Sequence, residues 1–544
     1  MSTLDDADRA HLEKRYAEAI RLYRAALDQN PTLFEAWYGL AAASASRLEY
    51  GDAIATYRLA LALRPHDVDL RVNLASALFA LGHVTEAVHG YQMAAGSRDA
   101  GVRAMALRNL ACIAPGDPAL DDEAILKFRQ AWAALEAASN RSHPPQVAHS
   151  PHAPDPPQTP RRAPGERLRI AYYGAFFGDR NWMKMYMGVL NAHDRGRFEV
   201  NLIVDGALPT AASGYRDHDS DRIWQVAGVP NPELAGHIAA AKIDVLIDLN
   251  GYSHQDRLPL LLHRAAPVQI AWNGMYGTTG FPHVDVLIAD ASVLPQGEKR
   301  ARDEARGYTE RIYRVRHTYL PFQVFYETPD VAPPPYLRSG HITFGSLNSA
   351  YKLTPQTLTA WSQILHALPS ARLLLRNAAL DHGSNRADLL TRFADLAVPA
   401  DRLTLLGSAE HTEFLRTYDE IDIALDAFPY NGGTTTVEAL WQGVPVLTMN
   451  GDRWAGRTSR SILDAAGLAE WVAADLPGFV DLGVRVAHSD LAPARAGQRT
   501  RLAASPACDV ASLCAELENV YVSEVERLVA GHQELDPCRP TTTG

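Results

Sequence analysis

The chain has 544 residues, of which 47% are apolar and 21% charged, and its formal net charge is −11. These values fit an ordinary globular protein of two or three domains and argue against one that coats duplex nucleic acid or an anionic membrane. No apolar run is long enough to cross a bilayer, the start Met1-Ser-Thr-Leu-Asp-Asp6 is not a signal peptide, and Cys112, Cys508, Cys514 and Cys538 form neither a disulfide framework nor a zinc pattern, so a soluble cytoplasmic chain is expected.

Self-similarity comes first along the chain, at a period of 34 residues. Tyr16-Ala-Glu-Ala-Ile-Arg-Leu-Tyr23 recurs as Tyr50-Gly-Asp-Ala-Ile-Ala-Thr-Tyr57 and as Val84-Thr-Glu-Ala-Val-His-Gly-Tyr91. Ala19, Ala53 and Ala87 share one register and Tyr23, Tyr57 and Tyr91 another; Pro31 and Pro65 close two repeats. The pattern resembles the tetratricopeptide consensus, in which paired helices bury their apolar faces only by stacking on the next pair. A helix around Met105–Ala111 extends the stack, and one over Glu123–Ala138 is expected to cap it. The repeat domain is placed at 1–140. A proline-rich linker follows at 141–167, too poor in other apolar residues to form a core.

From Leu168 the texture changes to short β-branched runs alternating with helical patterns. Strands are predicted at Leu168–Tyr173, Phe198–Val204, Ile243–Asp248, Val268–Trp272 and Asp285–Ala289. A second series is predicted at His341–Ser346, Ala371–Arg376, Leu403–Leu406, Ile421–Asp426 and Val444–Met449. Two βαβ series imply two doubly wound, Rossmann-like parallel sheets with a cleft between them, at 168–335 and 336–544. The tail Asp509–His532 reads as an amphipathic helix packing back across the domains.

The most informative segment runs from Asp426 to Met449. A strand ends at Asp426, Gly432 and Gly433 form a turn beside Asn431, and Thr434-Thr-Thr436 opens a helix carrying Glu438. Glycines let the backbone approach a ligand closely, and the first amides of a helix favour an anion. Thr434 and Thr435 add hydroxyls, and Glu438 can accept from a ribose, which together describe a sugar-nucleotide site. An N-capped helix with a surface glutamate is the alternative.

Several segments together resemble the nucleocytoplasmic protein O-GlcNAc transferases and their bacterial and SPINDLY-type relatives, which join tetratricopeptide repeats to a GT-B glycosyltransferase. The carrying segments are Val245-Leu-Ile-Asp-Leu-Asn-Gly-Tyr252, Ala266–Gly280, Asn348-Ser-Ala-Tyr-Lys-Leu-Thr-Pro355, Leu373-Leu-Leu-Arg376, Asn431–Pro445 and Ala455-Gly-Arg457. The resemblance implies that Lys352 contacts the donor diphosphate, with Ser349 beside it. Thr434 and Thr435 would lie at the phosphates, Glu438 at the ribose and His411 near the nucleoside, while Tyr276, Gly277 and Thr278 would face donor sugar and acceptor. It further implies transfer from a nucleotide sugar, expected to be UDP-linked, to a polypeptide recruited by the concave face of the repeats. No metal or other cofactor is required, and no nucleic acid or membrane partner is expected. A surface-glycan transferase and a catalytically silent adaptor remain alternatives.

The chain also departs from the family pattern. Phe176-Phe-Gly-Asp-Arg-Asn-Trp-Met-Lys184 carries Arg180 and Lys184 where the family has two histidines, and Asp179 where it has asparagine. Gly433 stands where many members have histidine, Ser349 replaces a glutamine and Ser408 a lysine. Arg180 and Lys184 place fixed positive charge where proton exchange would be available to histidine, which points to a more acidic or differently shaped sugar; pairing with Asp179 or another carboxylate is the competing explanation. Asp179 and Arg180 are carried as candidate catalytic residues with Lys352. The base is left open among Asp179, Asp248 and His254.

Overall fold

In the computed structural model, residues 3–142, 165–296 and 307–534 are described. The predicted linker prolines 144–164 and Cys538 lie outside them. The repeats fold as α1 (Thr3–Leu12), α2 (Tyr16–Gln29), α3 (Phe34–Ser46), α4 (Tyr50–Leu63), α5 (Val68–Ala80), α6 (Val84–Ala95) and α7 (Ala100–Ile113). Ala19, Ala53 and Ala87 are completely buried, and Tyr23, Tyr57 and Tyr91 nearly so. Small residues let the helices close, and each buried ring stabilises the stack by ~2 kcal/mol or more. Space is tight: a Cβ on Gly39 would lie 2.3 Å from Cζ of Tyr23.

The following helix, α8 (Asp122–Ser142), departs from expectation. Instead of capping the repeats it belongs with the first sheet. Buried Arg129 lies 3.9 Å over the Tyr252 ring and donates to the carbonyls of Met275 and Thr278. Trp132 meets Phe281 edge-on at 5.7 Å. A guanidinium this deeply buried needs such carbonyl acceptors, and they lie in the sheet's loops.

The first sheet contains β1 (Leu168–Gly174), β2 (Phe198–Val204), β3 (Arg222–Gln225), β4 (Val245–Asp248), β5 (Val268–Ala271), β6 (Val286–Asp290) and β7 (Arg311–Val315). They are parallel throughout, in the order β3-β2-β1-β4-β5-β6-β7. Strands β3 and β7 were not anticipated; both are edge strands with exposed positions, so they lack the continuous apolar run that marks buried parallel strands.

The second sheet contains β8 (Thr343–Ser346), β9 (Arg372–Arg376), β10 (Leu403–Leu406), β11 (Ile423–Leu425), β12 (Val446–Met449) and β13 (Val472–Ala473), in the order β10-β9-β8-β11-β12-β13, again all parallel. Its core gathers Phe344, Trp361, Leu373, Leu375, Ile423 and Leu447.

The chain divides into two compact units, each discontinuous in sequence. One joins Met1–Asp121 to Thr328–Leu502, so the repeats go with the second sheet. The other joins Asp122–Glu327 to Ala503–Gly544, so the final helix Val510–Glu534 goes with the first sheet and not with 336–502. That helix is pinned by a buried polar knot. Glu518 accepts from His193 Nδ1 at 3.0 Å and from the Asp194 amide at 2.9 Å, while Tyr172 and Tyr521 share their hydroxyls at 2.9 Å. Cys514 joins this group, which puts three ligand-type side chains together, held by hydrogen bonds.

Candidate active site

In the second sheet the strand order reverses between β8 and β11, and ligands of open parallel sheets gather beyond such a switch point. Two loops leave it. The first, after β8, carries Asn348, Ser349 and the short turn Ala350–Lys352, which ends in the helix Pro355–Ala367. The second runs from Asp426 to the helix Thr434–Trp441.

These two helices start differently. The Thr354 hydroxyl caps the first, accepting from the Thr357 amide at 3.2 Å. No side chain caps the second, whose N-cap is Gly433. Its leading amides have no side-chain cap, an arrangement that favours an anion, and the ordinary capped-helix alternative does not hold. Gly432 is sterically required: a Cβ there would stand 2.6 Å from the Thr436 hydroxyl and 2.7 Å from that of Thr435. At Gly433 the nearest neighbour would be Thr458 Cγ2 at 3.8 Å, so packing does not demand glycine there.

Asp426 anchors the turn. Its carboxylate is buried, accepts from the Gly432 amide at 2.8 Å and the Thr448 hydroxyl at 2.7 Å, and burial pushes its pKa up. Lys352 donates to the Asn431 carbonyl at 2.6 Å, bridging the two loops. Its Nζ lies 4.6 Å over the Tyr430 ring and 5.8 Å over that of Tyr351. Desolvation draws its pKa down to about 8, with Asp426 opposing. Thr435 donates to Asn348 Oδ1 at 3.2 Å, a pairing the sequence did not single out. Asn431 Oδ1 is buried without a hydrogen-bond partner. Glu438 is only 5% exposed and accepts from His411 Nε2 at 3.1 Å, so it is no surface glutamate. Ser349 is exposed beside the lysine turn, and Thr434 is half-buried at the helix start. An open pocket with about 240 Å³ of empty space lies here, lined by Asn348, Asp426, Thr435 and Thr436 among others.

Asp179, Arg180, Tyr276, Gly277 and Thr278 lie in the other compact unit. The Asp179 carboxylate caps the turn Arg180–Met183 through the Asn181 and Trp182 amides. Lys184 is buried and donates to the Tyr326 hydroxyl at 3.2 Å, while the Arg180 guanidinium lies 5.0 Å over the same ring. The tyrosine is thus a shared partner that neither explanation of these two charges anticipated. The loop at Tyr276 takes a left-handed backbone, φ +49°, and wraps Arg129. The Thr278 hydroxyl donates to Glu310 at 2.7 Å in a fully buried position. Of the possible bases, His254 is tied to Asp205 at 2.9 Å, and Asp248 accepts from the Asn250 and Gly251 amides while burial raises its pKa to about 7.

Helical repeats followed by two doubly wound parallel sheets make up a GT-B type architecture. The chain belongs to glycosyl transferase family 41, whose model matches residues 138–323 and 335–517. It is 31% identical over 366 residues to the probable UDP-N-acetylglucosamine–peptide N-acetylglucosaminyltransferase SPINDLY of Arabidopsis thaliana, covering 66% of this chain and 39% of that one. A second Arabidopsis thaliana relative, the similarly described SEC, is 28% identical over 313 residues, covering 56% and 31%. The chain thus spans well under half the length of these plant relatives. Over nearly full length it is similar to a lysine-to-methionine mutant of the Thermobaculum terrenum O-GlcNAc transferase, with TM-score 0.76, 30% identity and coverage of 97% and 98%. No described helix is long and apolar enough to cross a membrane.

Proposed function

We propose that the protein transfers a sugar from a nucleoside-diphosphate donor to a hydroxyl or amide of a polypeptide. The carrying observation is the bridge from Lys352 to the Asn431 carbonyl at the start of an uncapped helix. As the glycosidic bond breaks, negative charge grows on the leaving diphosphate. Lys352, the first amides of the helix and the hydroxyls of Thr434 and Thr435 supply fixed positive charge and donors where it appears. On this reading Lys352 gives up the Asn431 carbonyl for a phosphate oxygen, and its charge does the work otherwise asked of a divalent cation, so no metal or other cofactor is required. Glu438, oriented by His411, accepts from the ribose hydroxyls. Direct displacement would invert the anomeric centre.

The names of the relatives support a UDP-linked donor and a peptide acceptor, and the repeats are the surface proposed to recruit that acceptor, in the cytoplasm. The decisive experiment follows turnover of a panel of UDP-, GDP- and dTDP-linked sugars, with intact-mass analysis of cellular proteins from cells with and without the chain. A mass increment present with the wild type and lost with Lys352→Ala is expected. Failure of every donor to bind or turn over would falsify the reading.

A further inference from the structure

The turn that carries Lys352 is not held by its own sheet alone. Phe79, at the end of α5, stacks on Tyr351 with ring centroids 5.2 Å apart and planes 25° from parallel. Three residues on, Gly82 takes φ +85°, and a Cβ there would come within 2.5 Å of the Leu353 carbonyl oxygen and 2.9 Å of that of Ala350. The repeat backbone therefore sits directly on both ends of the lysine turn. Arg392 ties the two together, donating to the Leu81 carbonyl at 2.7 Å and also to that of Leu353. Asp388, four residues earlier on the same helix, pairs with His83 Nε2 at 3.0 Å. A second brace lies at the α3–α4 turn, where Asn385 accepts from the Gly51 amide at 2.9 Å and donates to the Leu48 carbonyl at 2.8 Å.

Tyr351 is the key intermediary. One side of its environment is Phe79; on the other, its ring meets that of Tyr430 edge-on at 6.0 Å, and both tyrosines flank the Lys352 ammonium. A three-residue 3-10 turn is a weak element with few internal hydrogen bonds. Its geometry is therefore set by what packs against it.

We propose that the α5–α6 turn of the repeats is a positioning device for Lys352, with Phe79 acting through Tyr351. The array then takes part in donor activation, besides any part in capturing the acceptor. The inference rests on the donor role given to Lys352 above. Phe79 is a positioning residue, since it acts on the lysine turn through Tyr351.

The test is chosen to read the lysine without a donor. Brief acetic anhydride labelling across a pH series, followed by mass spectrometry of the peptide containing Lys352, reports the midpoint of its reactivity. In the intact wild-type chain this midpoint is expected near 8. Phe79→Ala should raise it by about one unit or more, as the loosened turn lets water reach the ammonium. Phe79→Leu, which keeps apolar packing but loses the stacked ring, should fall between the two, and Phe79→Trp should restore the wild-type value. Circular dichroism and melting confirm that the repeats stay folded. With the panel's preferred donor, Phe79→Ala should lower kcat about tenfold while KM moves less than about twofold, and should add nothing in a Lys352→Ala background. An unchanged midpoint in folded Phe79→Ala, or a loss that adds to that of Lys352→Ala, would overturn the proposal. A Phe79-dependent midpoint in a chain whose Lys352 is not shielded by inorganic pyrophosphate supports the device and counts against the donor reading instead.

Discussion

The two sheets share one core strand order, to which the first adds the edge strand β7, yet their switch points present different groups. Beyond β8 and β11, polar groups are presented: an uncapped helix start, a lysine bonded to nothing stronger than a carbonyl, and a buried amide oxygen with no partner. Beyond β1 and β4, most of the comparable groups are consumed by the fold, although Asn250 Nδ2 and Asn181 Oδ1 are also buried without a hydrogen-bond partner. Asp248 is bound by two backbone amides, Asn250 accepts from the Ala175 amide at 2.7 Å, and Asp179 caps a turn. Gly251 and Gly274 pack back to back, since a Cβ on Gly274 would lie 2.1 Å from the Asn250 carbonyl oxygen. Equal topology predicts where ligands can collect; satisfaction of the local hydrogen bonds decides which groups remain to meet one.

The largest expected effect separates the two ends directly. Lys352→Ala should reduce donor turnover by about a hundredfold or more, the loss typical of one charge-stabilising donor, while Lys352→Met should also stabilise the fold by up to ~1–3 kcal/mol by removing a desolvated ammonium. Donor kinetics and thermal melting of both variants check this. A wild-type rate in either would erase the contrast between the sheets.

Next comes Glu438→Gln, for which donor KM should rise about tenfold with little change in kcat, because a charged acceptor buried beside His411 is replaced by a neutral one. Steady-state kinetics decide between this and a purely structural pair, which would lower the melting temperature and leave KM alone.

The adjacent glycines sharpen the picture within one loop. Gly432→Ala should cost about 1–3 kcal/mol of stability through overlap with Thr435 and Thr436. Gly433→Ala should leave melting unchanged and weaken only donor binding. Denaturant titration and calorimetry with UDP distinguish them.

Smallest, and most diagnostic of the first sheet, are the pH effects. Lys352 must be protonated to act, so kcat/KM for the donor should fall as pH rises through about 8. Asp248 behaves differently. Its folded pKa, near 7, is above the ordinary carboxylate value, so the folded state keeps a proton that the unfolded chain releases. Its contribution to stability is full below about pH 4 and is lost as pH rises to 7 and beyond. Melting of Asp248→Asn across that window should lack this decline; the same slope in both proteins would remove Asp248 from the account.

Much of this was legible along the chain. The 34-residue period placed Ala19, Ala53 and Ala87 on close helix contacts, because a helical face repeats locally. Ten strands were visible as short apolar runs, whereas β3, β7 and β13 were not: the first two are edge strands with exposed positions, and the third spans only two residues. The Gly-Gly-Thr-Thr-Thr turn after Asp426 announced itself because turn chemistry is also local. Partnerships between distant residues could not be read this way. That α8 clasps Tyr252 through Arg129, that Thr278 is spent on Glu310, and that Arg180 and Lys184 share Tyr326 are each decided by which loops the fold brings together. Sequence alone therefore determined most of the elements, the family and the place of the Gly-Gly-Thr-Thr-Thr turn, for these rest on spacing between near neighbours. Tertiary structure alone decided which polar groups are left unsatisfied and which turn supports Lys352, because burial and hydrogen-bond competition depend on residues hundreds of positions apart.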